Sequence, residues 1–338
     1  MINEVYRLIA PKQISVDFVD ETVGDNIIVR PTYLSICAAD QRYYTGSREK
    51  EVLSKKLPMA LIHEAVGKVV YDPSGEFQVG TNVVMIPNTP VEKDDIIKEN
   101  YLRSSKFRAS GFDGFMQNVV LMERGRIIPF SRIPERTAVL SEVLSVIFNA
   151  VEAFENKSHA RKEKIGIWGN GNLGFISALV LKTLYPNTEI SVMGLGHDKM
   201  HYFPFVDETY TIDELPEDFE IDHAFECVGG SGSESAINQI IDYIRPQGSI
   251  VMLGVSENNV ALNTRMILEK GLTLLGNSRS GYIDFERAVD FLENNKSASE
   301  YMDTIISEEI KISSIKDMNR AFEHDQMNDF KTVMKWDI

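Results

Sequence analysis

The stretch IGIWGNGNLGFISA constrains this chain more than any other. Gly169, Gly171 and Gly174 form a GxGxxG spacing between an apolar run, KIGIW, and a helix-forming run, LGFISALVLKTLY. Each glycine has its own task in such a setting. The first permits a tight turn, the second lets the backbone approach a pyrophosphate, and the third lets helix and strand pack closely, while the helix N-terminus favours an anion. The turn, with Asn172 and Leu173 inside it, predicts a dinucleotide site at the start of a βαβ unit.

The alternation continues through EISVM, DHAFEC, the amphipathic SESAINQIIDYI, a turn at Pro246-Gln247-Gly248, then SIVMLG and LTLLG. This predicts an α/β Rossmann domain with a six-stranded doubly wound parallel sheet over 145–280. Residues 1–144 read differently, as short β-type runs broken by turns, among them NIIVRPTYLSI, AVGKVVYD and TNVVMIP. After the Rossmann pattern, YIDFERAVDFLENN and SIKDMNRAFEH have helical periodicity and KTVMKW has the look of a strand. Segment 281–338 is therefore expected to complete the first, β-rich domain. A chain of 338 residues is long for one core, which agrees with two domains.

A net charge of -15 excludes a general affinity for nucleic acid or anionic membranes, which needs a basic surface. The acidic-rich EKDDIIKEN at 92–100 reads as solvated surface. Only Cys37 and Cys227 are present, too few for a disulfide framework and typical of a reducing compartment. The opening MINEVYRLIAPK lacks a basic stretch followed by an apolar run and a cleavage site, so a cytoplasmic location is expected.

Cofactor selectivity in such turns is usually written about 20 residues on, where an acid bonds the ribose 2′-hydroxyl. Here Gly194 stands at that place, 20 residues after Gly174. A glycine removes the hydrogen bond and also the repulsion that would exclude a 2′-phosphate. His197 and Lys199 follow and can supply positive charge, although Asp198 lies between them. NADPH is favoured over NADH.

Cys37 ends the apolar TYLSIC, and His63-Glu64 follows in LIHEAVGKVV, 26 residues later. Their spacing is no metal signature, since a lone Cys is usually inert core and a lone His is usually hydrogen bonded. SICAADQRYY, HEAVGKVV and LSEVLSV, taken with the downstream glycine turn, resemble the zinc-containing polyol branch of the medium-chain dehydrogenase/reductase family. The resemblance covers nearly the whole chain. It implies a GroES-like catalytic domain beside the Rossmann domain, and one catalytic zinc held by Cys37, His63 and a glutamate. Both Glu64 and Glu142 match family glutamates, and which of them ligates stays open. Asp40 matches a carboxylate that would orient the ligand imidazole.

The chain departs from its resemblance in three places. The stretch from about 88 to 113 has no cysteine, so a second, structural zinc of the family type is not expected. Ala39 stands where a relay serine or threonine is usual, which leaves the zinc site with Glu64, or the hydroxyl of Tyr43 or Thr45, to furnish a proton. Arg42 stands where many relatives have a relay histidine. A guanidinium there suits an anionic substrate, and Arg48, Arg103, Lys106 and Arg108 are further phosphate candidates.

Longer strings, SICAADQRYYTGSR, KLPMALIHEAVG, PNTPVEKDD, DHAFECVGG and NQIIDYI, resemble the ribulose-5-phosphate reductases of bacterial teichoic-acid and capsule precursor synthesis. That resemblance implies NADPH-dependent reduction of D-ribulose 5-phosphate to D-ribitol 5-phosphate. A cytidylyltransferase that makes CDP-ribitol is the implied partner, and a homodimer the expected assembly. An NAD-linked sorbitol- or xylitol-type dehydrogenase shares the same zinc set but wants an acid at position 194. A non-catalytic dinucleotide-binding regulator would have no need of Cys37, His63, Glu64 and Glu142 together.

Overall fold

A computed structural model describes Met1 to Ile338, the full chain. It divides into two compact units, Met1–Ser145 with Ser280–Ile338, and Val146–Arg279. The helix Ser141–Lys157 runs through the first junction without a break. No helix is long and apolar enough to cross a membrane.

The first unit is built on a seven-stranded sheet. Its centre is the strand Ile27–Ser35, flanked by Glu64–Tyr71 on one side and by the tail strand Lys331–Trp336 on the other. Period-2 apolar residues from both chain segments make one core, in which Ile27, Val29 and Leu34 pack with Phe115, Phe322, Met334 and Trp336. The tail segment 281–338 is thus a structural part of the first unit. The registers matter for the site, because Ser35 lies opposite Glu64 on one side and opposite Val333 on the other. Just beyond Ser35 the chain turns into the short helix Ala38–Tyr44, with Cys37 at its N-cap.

In the second unit six strands are all parallel. Their spatial order is Glu208–Thr211, Glu189–Gly194, Lys164–Trp168, Ile221–Glu226, Ile244–Met252, Thr273–Gly276. In chain order this is 3-2-1-4-5-6, the doubly wound arrangement with its switch point beside the first strand. The sequence pattern located five of the six. The short ETYT strand at 208–211 carries two threonines and no apolar aliphatic residue, so no hydrophobic run marks it. One expected turn is corrected. Pro246-Gln247-Gly248 lies inside the strand Ile244–Met252 as an irregularity, with Gln247 at φ 63° and a shift in register between Ile221 and His223.

Candidate metal centre and dinucleotide turn

Around His63 the first unit gathers three buried acids, Asp40, Glu64 and Glu142. Cys37, Asp40 and His63 place their donor atoms within 4.8 Å of one another, and so do His63, Glu64 and Glu142, with His63 common to both sets. Asp40 is fully buried and is held by three groups. Its Oδ1 accepts from the Ile62 amide at 2.9 Å, and its Oδ2 accepts from the Cys37 amide at 3.2 Å and lies 3.5 Å from His63 Nδ1. The carboxylate therefore caps its helix and fixes the imidazole at once, leaving Nε2 as the nitrogen without that partner.

The backbone entering His63 is strained. Ile62, a buried β-branched residue, has φ 71°, a left-handed conformation that favours glycine. Its amide is fixed by Asp40 and its carbonyl by the Phe115 amide at 2.8 Å. Gly114 permits this crossing, since a Cβ there would stand 2.3 Å from the carbonyl oxygens of Leu61 and Ile62. The neighbouring Asp113 accepts from Arg7 and from the Ala60 amide, so Asp-Gly-Phe at 113–115 buttresses the loop that carries His63.

Electrostatically the cluster is poised between opposing effects. Burial lowers the His63 pKa, but Asp40 and Cys37 raise it well above its ordinary value. Burial pushes the Glu142 carboxyl up to about 7. One member had no sequence signal: Lys331, buried on the tail strand, with Nζ 2.5 Å from Glu64 Oε1. Strand alternation puts it on the same face as the exposed Lys335, so periodicity gives no hint of its burial. Thiol, imidazole and carboxylate donors are the set that holds zinc, and the buried Glu64 Oε2 has no hydrogen-bond partner. The residues present fit a zinc ion.

Other predicted residues lie outside the cluster. Tyr43 is buried, with the Arg48 guanidinium 5.0 Å and the Lys56 ammonium 5.8 Å from its ring centre. Thr45 donates its hydroxyl to the Gln41 carbonyl at 2.8 Å, a local helix-end bond that withdraws it as proton donor in this arrangement. Arg42 sits on the helix that begins at Cys37, and Arg103 is exposed. Arg108, a phosphate candidate in the sequence, is engaged with the fold itself. Its guanidinium donates to the carbonyls of Leu121 at 2.8 Å and Asp113 at 3.3 Å and lies over Phe115, and burial lowers its pKa to about 10.

In the second unit the glycine turn joins Lys164–Trp168 to the helix Asn172–Leu184. Gly169 has φ 112°, open chiefly to glycine. A Cβ on Gly174 would stand 1.7 Å from the Gly169 carbonyl oxygen, whereas one on Gly171, the N-cap, would meet nothing within 4 Å. The turn is closed where helix and strand meet and open where a pyrophosphate would approach, which fits a dinucleotide. Asn172 and Leu173 form the first helical residues, half-buried, and the buried Asn172 Oδ1 has no hydrogen-bond partner.

Gly194 ends the second strand as expected, but its space is filled. A Cβ there would fall 2.2 Å from the Asn170 side-chain nitrogen. His197 is exposed and 3.3 Å from Glu214, so its charge is partly met already, and Lys199 is half-buried on the same 3-10 turn. Glu226 is a further residue that sequence reasoning missed. Fully buried at the end of the fourth strand, it accepts from the amides of Val228, Gly229 and Gly254 and from Ser233, tying two crevice loops together.

Comparison with known proteins agrees with this geometry. Residues 24–134 match the alcohol dehydrogenase GroES-like domain and residues 135–336 the glucose dehydrogenase C-terminus. The ribulose-5-phosphate reductase of Bacillus spizizenii is 50% identical over 341 residues, covering 100% of both chains. Ribulose-5-phosphate reductase 1 of Staphylococcus aureus is 52% identical over 339 residues, covering 99% of each. The crystal structure of S. aureus TarJ in complex with NADPH superposes with a TM-score of 0.90 at 47% identity, covering 100% of both chains. The chain belongs to the zinc-containing medium-chain dehydrogenase/reductase family, in the polyol dehydrogenase branch that includes the ribulose-5-phosphate reductases.

Proposed function

We propose that this chain reduces D-ribulose 5-phosphate to D-ribitol 5-phosphate with NADPH and a single catalytic zinc. The observation that carries the reading is end-to-end identity of about half to ribulose-5-phosphate reductases, in a chain where Cys37, Asp40, Glu64 and Glu142 gather on His63. Cys37, His63 and a glutamate of the pair Glu64 and Glu142 would hold the metal. Bound zinc supplies Lewis acidity toward the C2 carbonyl, and bound NADPH supplies the hydride.

The chain's own residues do the rest. Asp40 holds the His63 ring in one orientation, and Ile62 is locked so that the histidine enters at a fixed angle. Gly169, Gly171 and Gly174 shape the pyrophosphate turn, and the absence of an acid at Gly194 leaves a 2′-phosphate unopposed. With Ala39 silent and Thr45 engaged, Glu64 or the Tyr43 hydroxyl would manage the proton that the carbonyl oxygen gains. Arg42 and Arg48, near the helix that starts at Cys37, are the phosphate residues of choice.

The product suits a cytidylyltransferase that makes CDP-ribitol for teichoic-acid or capsule synthesis. Both belong in the cytoplasm, and the working form of the reductase is a homodimer. The test compares D-ribulose 5-phosphate, D-xylulose 5-phosphate and D-fructose with each nicotinamide, in wild type and Arg42→Ala. D-Ribulose 5-phosphate with NADPH should be preferred at least about 100-fold, and Arg42→Ala should erode that preference tenfold or more, the scale of a lost charge-assisted contact. Faster turnover of D-fructose with NADH would instead favour a sorbitol-type dehydrogenase.

A further inference from the structure

Two cations of the first unit share one aromatic ring beside the helix Ala38–Tyr44. Tyr43 is only 2% exposed, and the Arg48 guanidinium lies 5.0 Å and the Lys56 ammonium 5.8 Å from its ring centre. Lys56 Nζ also donates to the Ser110 hydroxyl at 3.1 Å. The preceding residue behaves as an ordinary surface lysine: Lys55 is exposed and pairs with Glu51 at 2.6 Å. Lys56 is instead half-buried against a ring and a hydroxyl, and neither carries a charge. In a chain with 50 acidic residues against 35 Lys and Arg, an ammonium kept on neutral partners is a cation held ready for an anion from outside.

Two connections tie this pair to the metal centre. Tyr43 lies six residues beyond Cys37 on one short helix, about 9 Å along its axis. From the other direction, the Phe107 ring packs 5.4 Å from the His63 ring, and the Phe107 carbonyl accepts from the Ser110 amide at 3.2 Å. The turn between Phe107 and Ser110 is strained, since Ala109, a buried residue, has φ 57°. Gly111 follows at φ 101° and donates its amide to Met59 Sδ at 2.9 Å, closing the turn onto the segment just after Lys56. Ser110 is thereby presented to Lys56 on a fixed backbone. Its oxygen accepts from Lys56, which directs its own proton elsewhere, and the ammonium keeps two of its three N–H donors. We propose that Lys56 and Ser110, with Arg48 on the same Tyr43 ring, form the subsite for the substrate's phosphate, and that Lys56 distinguishes a sugar phosphate from the free sugar. This rests on the phosphopentulose reading above and names the residue that would enforce it.

The test uses the full zinc-loaded chain at saturating NADPH and compares kcat/KM for D-ribulose 5-phosphate and D-ribulose. Lys56→Met should cut the preference for the phosphate ester by about 30-fold, the loss of one charge-assisted contact, and Lys56→Arg should recover most of it. Ser110→Ala should cost about fivefold, the scale of a neutral hydrogen bond. Inorganic phosphate, as a competitor of D-ribulose 5-phosphate, should bind Lys56→Met at least about tenfold more weakly, and this readout decides where D-ribulose turns over too slowly to measure. A Lys56→Met variant that loses both substrates equally, or binds inorganic phosphate as wild type does, overturns the assignment. A loss that falls on the KM for NADPH also overturns it, because the cation would then serve the cofactor's phosphate. A wild type that turns over D-ribulose as well as its 5-phosphate overturns the phosphopentulose reading itself, whereas a preference for the ester that survives Lys56→Met defeats this inference alone.

Discussion

The turn at 169–174 and the cluster around His63 both prepare a place for a charged group, by opposite means. The turn is six consecutive residues working through backbone shape: a left-handed Gly169, an open Gly171 and a Gly174 pressed against a carbonyl. The cluster draws Cys37, His63, Glu142 and Lys331 from four separated segments and works through side-chain charge. A contiguous backbone device is written where it acts. A charge device is written wherever the sheet happens to return.

The largest expected effect falls on the turn. In Gly174→Ala the new methyl meets the Gly169 oxygen at 1.7 Å, and because that atom is backbone the whole turn must move. A cost of about 3 kcal/mol is expected, the upper range for overpacking, with NADPH affinity reduced more than about tenfold. Urea unfolding and NADPH fluorescence titration measure the two. Unchanged affinity in a folded Gly174→Ala variant would break the contrast, since the turn would not then depend on its backbone shape.

That contrast also sets what the sequence can disclose. The glycine turn, five of six parallel strands and the tail's return are legible because each rests on local periodicity or spacing. Cys37 and His63 are visible as residue types, but their convergence follows from strand pairing that no local pattern encodes. Lys331 is the extreme case, a lysine indistinguishable in the sequence from the exposed Lys335 four residues on. Thr45 and Arg108 show the converse: their types suit chemistry, and the structure engages their donors with nearby carbonyls that no local pattern announces.

Two buried histidines sharpen the comparison. His63 has anions around it that raise its pKa, whereas at His223, on the fourth strand of the parallel sheet, burial and His159 outweigh the opposing Arg161 carbonyl and Asp222. Its Nδ1 accepts from the Ser249 amide at 3.1 Å, which leaves Nε2 to donate to the Arg161 carbonyl at 2.9 Å and fixes the neutral form. Burial, with His159 next, lowers its pKa to about 4. A folded pKa below the unfolded value of about 6.5 means stability that is full above pH 6.5 and drains as pH falls toward 4. Between pH 7 and 5 the loss should be about 2 kcal/mol, read as the difference in urea midpoints between wild type and His223→Gln. Parallel pH dependence in the two proteins would count against this account.

The smallest effect probes whether position 194 acts through charge or through space. Gly194→Asp introduces both a negative charge where a 2′-phosphate would lie and a Cβ that crowds Asn170, whose amide donates to the Gly196 carbonyl at 3.5 Å. Gly194→Asn has the same shape without the charge, so Asn170 is displaced equally in both. If repulsion of the phosphate governs selectivity, Gly194→Asp should raise the KM for NADPH about tenfold more than Gly194→Asn does, a difference of about 1.4 kcal/mol, while the two variants should treat NADH alike. If both raise the KM for NADPH by the same factor, the glycine is there to seat Asn170. Position 194 would then belong with the backbone device of the turn, and the preference for NADPH would have to come from the cations that follow it.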